Sequence, residues 1–183
     1  MLIDEAKIIK DLLGTEENKR ILNICSSDET FWKVKQPFIW KKVMQPLLER
    51  NNSIINLDMK KSNGVDIIAD CTDMQCIKDD SYDIALFTSG VEHIVEVDKA
   101  LLEIRRILKP GGFMICSAPG IYPEHHDPID TMLRLPSLED WKFFLKDSWQ
   151  ISDFLKSSPV PARPDYNFKE LVFATVIKTY PVK

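Results

Sequence analysis

Apolar residues recur along this chain at two spacings. Near the start, Leu2, Ile3, Ala6, Ile9, Leu12 and Leu13 fall near one helical face and Gly14 stops the run, which predicts a helix over 2–13. Residues 97–108 (VDKALLEIRRIL) give the clearest helix. Ala100, Leu101, Ile104, Ile107 and Leu108 line one side, and Glu103, Arg105 and Arg106 face water. Residues 38–50 share that spacing, with Pro46 predicted to kink or restart the helix. Residues 137–146 open with Ser137 and Asp140 in capping-box positions. Short apolar runs at 20–25, 53–57, 65–69, 82–88 and 113–118 read as strands, followed by 149–154 and 171–179. Lys109-Pro-Gly-Gly reads as a stop and turn, 157–164 as a rigid Pro-rich loop, and 26–36 as a polar, mixed stretch.

Strands alternate with helices through the first 120 residues, and several are apolar on both faces. That combination predicts a parallel sheet covered on both sides. The last two strands are separated only by the Pro-rich loop and are expected to form an antiparallel hairpin at the sheet edge. The 183 residues suit one domain, a helix over 1–17 leading into a core over 18–183.

Composition narrows the function classes. Hydrophobic residues are 44% and charged residues 28%, an ordinary globular mix. The 24 basic and 28 acidic side chains leave a net charge of −4, so nucleic acid is not an expected partner. No apolar run approaches the roughly 20 residues that span a bilayer, so no membrane insertion is expected. The acidic start, Met1-Leu-Ile-Asp-Glu, lacks the basic region of a signal peptide, which leads to an expectation of a cytoplasmic protein. Four cysteines without a C-x-x-C pair, and three histidines, give no metal site.

In a doubly wound sheet the ligand lies beyond the carboxyl ends of the strands. Asp58 closes the second predicted strand. A carboxylate there can accept both hydroxyls of a ribose, or it can cap a turn. Asp70 and Cys71 follow the third strand, and Thr88-Ser-Gly-Val-Glu-His the fourth.

The segments ILNICSSDE, NLD, VDIIAD, YDIALFTSGVEHI, ALLEIRRILKPGGFMICSAP and HHDPID resemble the class I S-adenosylmethionine-dependent methyltransferases. They are most similar to the small ones found among polysaccharide-biosynthesis and uncharacterised bacterial proteins. The resemblance covers roughly residues 18–180. It implies an α/β, Rossmann-like, doubly wound, mostly parallel sheet of seven strands in the order 3-2-1-4-5-7-6, with a C-terminal antiparallel hairpin. It implies S-adenosylmethionine as cofactor: Asp58, with Met59 beside it, at the ribose, Asp70 and Cys71 flanking the adenine, and Thr88 and Ser89 beside the methionine part. The chain departs from the family in the first loop. Asn23, Cys25, Ser27 and Glu29 stand where the family usually has an acid and three glycines. Cys25 and Ser27 are expected to push side-chain atoms toward the methionine part, and Asn23 keeps an acceptor without the charge. Restoring glycine at both is expected to tighten cofactor binding and to cost about 0.5–1 kcal/mol of stability each.

The segment 125–130 holds His125, His126, Asp127 and Asp130, and His126 is the first candidate for a base that takes the acceptor's proton. His93 is the second. The expected acceptor is a small polar or saccharide-type molecule. A chain this short leaves the acceptor pocket open, completed by a second copy in a homodimer, or shaped for a large molecule. The alternative is a catalytically degenerate methyltransferase-like domain acting as a nucleoside-binding or protein-interaction subunit. A dinucleotide oxidoreductase is disfavoured, because no G-x-G-x-x-G follows the first strand.

Overall fold

A computed structural model describes residues 1–124, 129–162 and 168–182. Its strands are β1 (Arg20–Ile24), β2 (Ser53–Asp58), β3 (Ile67–Ile68), β4 (Tyr82–Thr88), β5 (Leu108–Ile121), β6 (Trp149–Lys156), β7 (Val160–Pro161) and β8 (Leu171–Pro181). They form a mixed sheet in the order β3-β2-β1-β4-β5-β8-β6. The pairs among β1–β5 are parallel, and β8 runs antiparallel to both β5 and β6. This is the expected order, with the short β7 added in the Pro-rich loop, where it pairs with β8.

The inner strands are apolar on both faces because both faces are covered. Ile84, Leu86, Phe113 and Ile115 point to one side with Ile21. There they meet Ala6, Ile9 and Leu13 of α1 (Ile3–Leu13). The alternate residues Leu22, Ile24, Ala85, Phe87, Met114 and Cys116 point to the other side. They meet Ala100, Ile104 and Ile107, and Trp141 beyond them. The period of two along each strand therefore feeds two separate cores.

Between β1 and β2 the helical spacing is realised unevenly. The chain passes through a π-helical turn at Phe31–Lys35, α2 (Pro37–Ile39), a second π-helical turn at Trp40–Met44, and α3 (Gln45–Glu49). Pro37 enters at the first turn of α2, where a missing N–H goes unused, whereas Pro46 falls where the second π-helical turn passes into α3, with Met44 and Gln45 in right-handed helical conformation. The helical run therefore continues through Pro46 with a change from π- to α-type hydrogen bonding, and the polar stretch before residue 37 is partly helical. Helix α4 (Val97–Ile107) ends where expected, but the chain enters β5 directly. Lys109–Gly112 is absorbed as an irregularity in the β4–β5 pairing. Helix α5 (Leu138–Leu145) carries its capping box: Asp140 N–H donates to Ser137 Oγ at 3.2 Å, and Ser137 N–H donates to Asp140 Oδ2 at 2.9 Å.

Candidate functional site

The carboxyl ends of β1 to β4 open on one cavity of about 730 Å³, a volume within the range of small-molecule sites. Asn23, Cys25 and Ser27 reach it from β1, Asp58 and Met59 from β2, Asp70 and Cys71 from the turn after β3, and Thr88, Ser89 and His93 from β4. His126 lies outside the described residues.

The first loop keeps a glycine-type backbone without glycine. Cys25 has φ 55° and Ser27 φ 58°, both in the left-handed region. Three contacts hold it there. Ser26 N–H donates to the Leu57 carbonyl at 3.1 Å, Ser27 N–H donates to Asp58 Oδ2 at 2.9 Å, and Asn23 Nδ2 donates to Asn56 Oδ1 at 2.9 Å. Asp58 Oδ1 accepts from Lys60 N–H at 3.0 Å. Asp58 thus clasps the first loop to the end of β2 while its carboxylate lines the cavity.

The Cys25 side chain turns against Gly90. A Cβ at Gly90 would stand 3.0 Å from Cys25 Cβ and 3.5 Å from its Sγ. The thiol also meets Cys71. Hydrogen bonding with that thiol, then burial, then the Asp58 and Glu92 carboxylates push the Cys25 thiol well above its ordinary value. Asp70 Oδ1 is committed to a local turn, accepting from Thr72 N–H and Thr72 Oγ1 at 2.8 Å each. Met59 stands at the rim, two-thirds exposed.

His93 lies in a short turn after β4. Its Nδ1 is 2.7 Å from the Ile129 carbonyl, which can only accept, so the ring proton sits on Nδ1. Nε2 is 3.8 Å from Glu92 Oε1. Burial holds the imidazole below its ordinary value near 6.5. Asp130, the one described member of the His125, His126, Asp127 and Asp130 cluster, is held by Arg134. Its side chain is fully buried and takes a two-pronged ion pair from Arg134, at 3.0 and 2.7 Å. Thr131 N–H donates to the Glu92 carbonyl at 2.8 Å, which pins this segment beside His93.

Two parts of the wall were not assigned from the sequence. Phe31 and Trp32 come from the π-helical turn. Glu5 comes from α1 and is 1% exposed. The signal for Glu5 is visible in retrospect, since it stands four residues before Ile9 on the helix's apolar stripe.

The sheet order and the antiparallel β8, with the cavity at the strand ends, are those of the class I S-adenosylmethionine-dependent methyltransferase fold. Residues 44–116 match the methyltransferase domain family. It is 32% identical over 82 residues to the ubiquinone/menaquinone biosynthesis C-methyltransferase UbiE of Bartonella bacilliformis. That match spans 42% of this chain and 32% of the relative, so the chain spans about a third of the relative's length. In fold it is similar to a putative S-adenosylmethionine-dependent methyltransferase from Listeria monocytogenes, with TM-score 0.63 and 15% identity, covering 98% of this chain and 99% of that one. It is also similar to the 1,6-didemethyltoxoflavin-N1-methyltransferase of Burkholderia thailandensis, solved with bound S-adenosylhomocysteine. There the TM-score is 0.63 and the identity 12%, covering 96% of this chain and 77% of that one.

The residues present fit the family's cofactor. The cavity has room for it, the glycine-type backbone of the first loop is kept, and Cys25 is accommodated by the missing Cβ of Gly90. Among the described residues no helix is long and apolar enough to cross a membrane, and no cluster of metal-ligating side chains occurs.

Proposed function

We propose that the protein transfers a methyl group from S-adenosylmethionine to a small acceptor, polar or saccharide-type, bearing a hydroxyl. The observation that carries this reading is the convergence of four strand ends on one cavity, with the first loop held in a glycine-type conformation. When bound, S-adenosylmethionine supplies an electrophilic methyl group on a cationic sulfur. The chain then has to position the two reactants and receive one proton, and alignment alone is worth several kcal/mol. In this reading Asp58 and Met59 serve the ribose end, Asp70 and Cys71 the adenine, and Asn23, Cys25, Ser27, Thr88 and Ser89 the amino-acid end. Residues 1–183 act as one domain in the cytoplasm.

The proton acceptor is His93 or His126. Support for His93 is geometric. Its proton is fixed on Nδ1 by Ile129, it lines the cavity, and burial favours the neutral ring, so Nε2 carries the lone pair that a general base needs. The acceptor hydroxyl proton passes to that nitrogen as the oxygen takes the methyl group.

One observation favours the alternative of a catalytically degenerate domain: Asp58 and Asp70 already accept hydrogen bonds within the chain. A calorimetric titration with S-adenosylhomocysteine tests the cofactor site on which the enzyme reading depends. A saturable isotherm is expected, and no binding at millimolar ligand would overturn the enzyme reading.

A further inference from the structure

Glu5 is a buried carboxylate without an ion-pair partner among the described residues. Its side chain is 1% exposed, and among the described residues it forms no ion pair with Lys, Arg or His. Three donors converge on it: Ser89 Oγ at 2.8 Å and Ser117 Oγ at 2.6 Å on Oε1, and Leu2 N–H at 2.8 Å on Oε2. An acceptor-only group needs such donors; as the N3 residue of the α1 capping box Glu5 also meets the partial positive charge of the helix N-terminus, but none of these donors is a full cation. Buried charges are ordinarily paired, because desolvation is costly and only an opposite charge offsets it well.

Besides the Met1 amine, which lines the same cavity, a countercharge can reach Glu5 from a ligand in the cavity. Glu5 lines the cavity, and Ser89, whose hydroxyl it holds, stands at the end of β4 on the same wall. The buried Cys116 thiol is pushed well up by burial first, then by the Glu92 and Glu5 carboxylates. Away from bulk water such a charge acts over several ångströms with little screening.

We propose that Glu5, delivered by α1, is the charge that lets this cavity prefer a sulfonium over a neutral thioether, and so S-adenosylmethionine over its demethylated product. The inference rests on the cofactor reading above. It makes α1 part of the cofactor site rather than a cover for the sheet, and it gives the product a weaker hold than the substrate once the charge is spent.

Calorimetric titration of the full chain with S-adenosylmethionine and, separately, S-adenosylhomocysteine tests it. The wild-type chain should bind the sulfonium form more tightly. Glu5→Gln, which keeps the side-chain shape, should weaken the sulfonium form by about tenfold and the thioether form by less than about twofold. Glu5→Asp, which loses reach but keeps the charge, should weaken both alike and retain the preference. Equal losses of both ligands in Glu5→Gln would mean a purely structural hydrogen-bond role and would overturn the proposal. Equal affinities in the wild-type chain would overturn it without any variant, so it stays testable if neither variant folds. Binding of neither ligand to the wild-type chain would instead bring down the cofactor reading, and this proposal with it.

Discussion

Cys25 and Gly90 divide between them what a single glycine in the first loop would do. Cys25 takes the left-handed backbone conformation, with φ 55°, and its side chain occupies the space left by the missing Cβ of Gly90, whose replacement would stand 3.0 Å away. The loop after β1 thus keeps its path at the cavity although its own residues have side chains.

A double-mutant cycle measures this relationship. Gly90→Ala has φ −135°, so its backbone is unstrained and the cost is steric. Contacts with Cys25 and Phe87 should destabilise it by about 1–3 kcal/mol in chemical denaturation. In a Cys25→Gly background that cost should fall by half or more. Additive effects would show that the two residues do not share the space.

Ser27→Gly should raise stability by about 0.5–1 kcal/mol, since it relieves a left-handed serine. This reverses the penalty expected from the sequence, which supposed an ordinary backbone. Loss of stability in thermal unfolding would contradict it. If loop side chains limit cofactor binding, Cys25→Gly with Ser27→Gly tightens it.

Asp58 couples cofactor binding to loop structure. Asp58→Ala removes the acceptor of Ser27 N–H and of Lys60 N–H, so it should cost about 1–3 kcal/mol of stability. It should also lower affinity for S-adenosylhomocysteine by tenfold or more, the loss of one charge-assisted hydrogen bond. Unchanged affinity in a folded variant would remove Asp58 from the cofactor site.

His93 gives a pH dependence with a definite sign. Burial, with the N-terminus and Arg134, depresses its pKa below 6.5, and the Ile129 carbonyl and Asp130 oppose this less effectively. The unfolded chain therefore binds a proton more readily than the folded one. Stability should be full above pH 6.5 and decline as pH falls below it, and His93→Gln should flatten that decline. If His93 is the base, the rate of methyl transfer falls on the same acid side. His126→Ala, measured at saturating acceptor across pH 5.5–8.5, should then leave the profile unchanged; a loss of about 100-fold would assign the base to His126.

Arg134→Leu should destabilise by about 3–5 kcal/mol, because it removes the two-pronged ion pair made to the fully buried Asp130 carboxylate. Asp130→Asn in the same background should recover part of that loss. Near-wild-type stability of Arg134→Leu would mean that the buried Asp130 does not depend on this ion pair.

The periodic elements were legible because one spacing decided them. The apolar stripe of 97–108 needs a helix, and the run at 82–88, apolar on both faces, needs a covered parallel strand. Strand alternation followed by a closing hairpin then constrained the order of the sheet. The Ser137–Asp140 capping box was legible for a similar reason, since both partners lie within one turn. The candidate residues at the strand ends were located by topology, which sends every β-to-α loop to the same edge.

What tertiary structure decided are the contacts between residues distant in sequence. The Ser27–Asp58 clasp and the Cys25–Gly90 packing depend on the lateral register of β1 against β2 and β4. Helix periodicity assigns a face but does not say which face meets a cavity, and Glu5 meets Ser117 across 112 residues of chain. The π-helical turns at 31–35 and 40–44 satisfy the backbone around Pro37 and Pro46 in a register that a 3.6-residue period does not contain. Local spacing fixes elements because neighbouring side chains share a face. A site forms from elements brought together by burial, and its distances are set only when the two cores on either side of the sheet close.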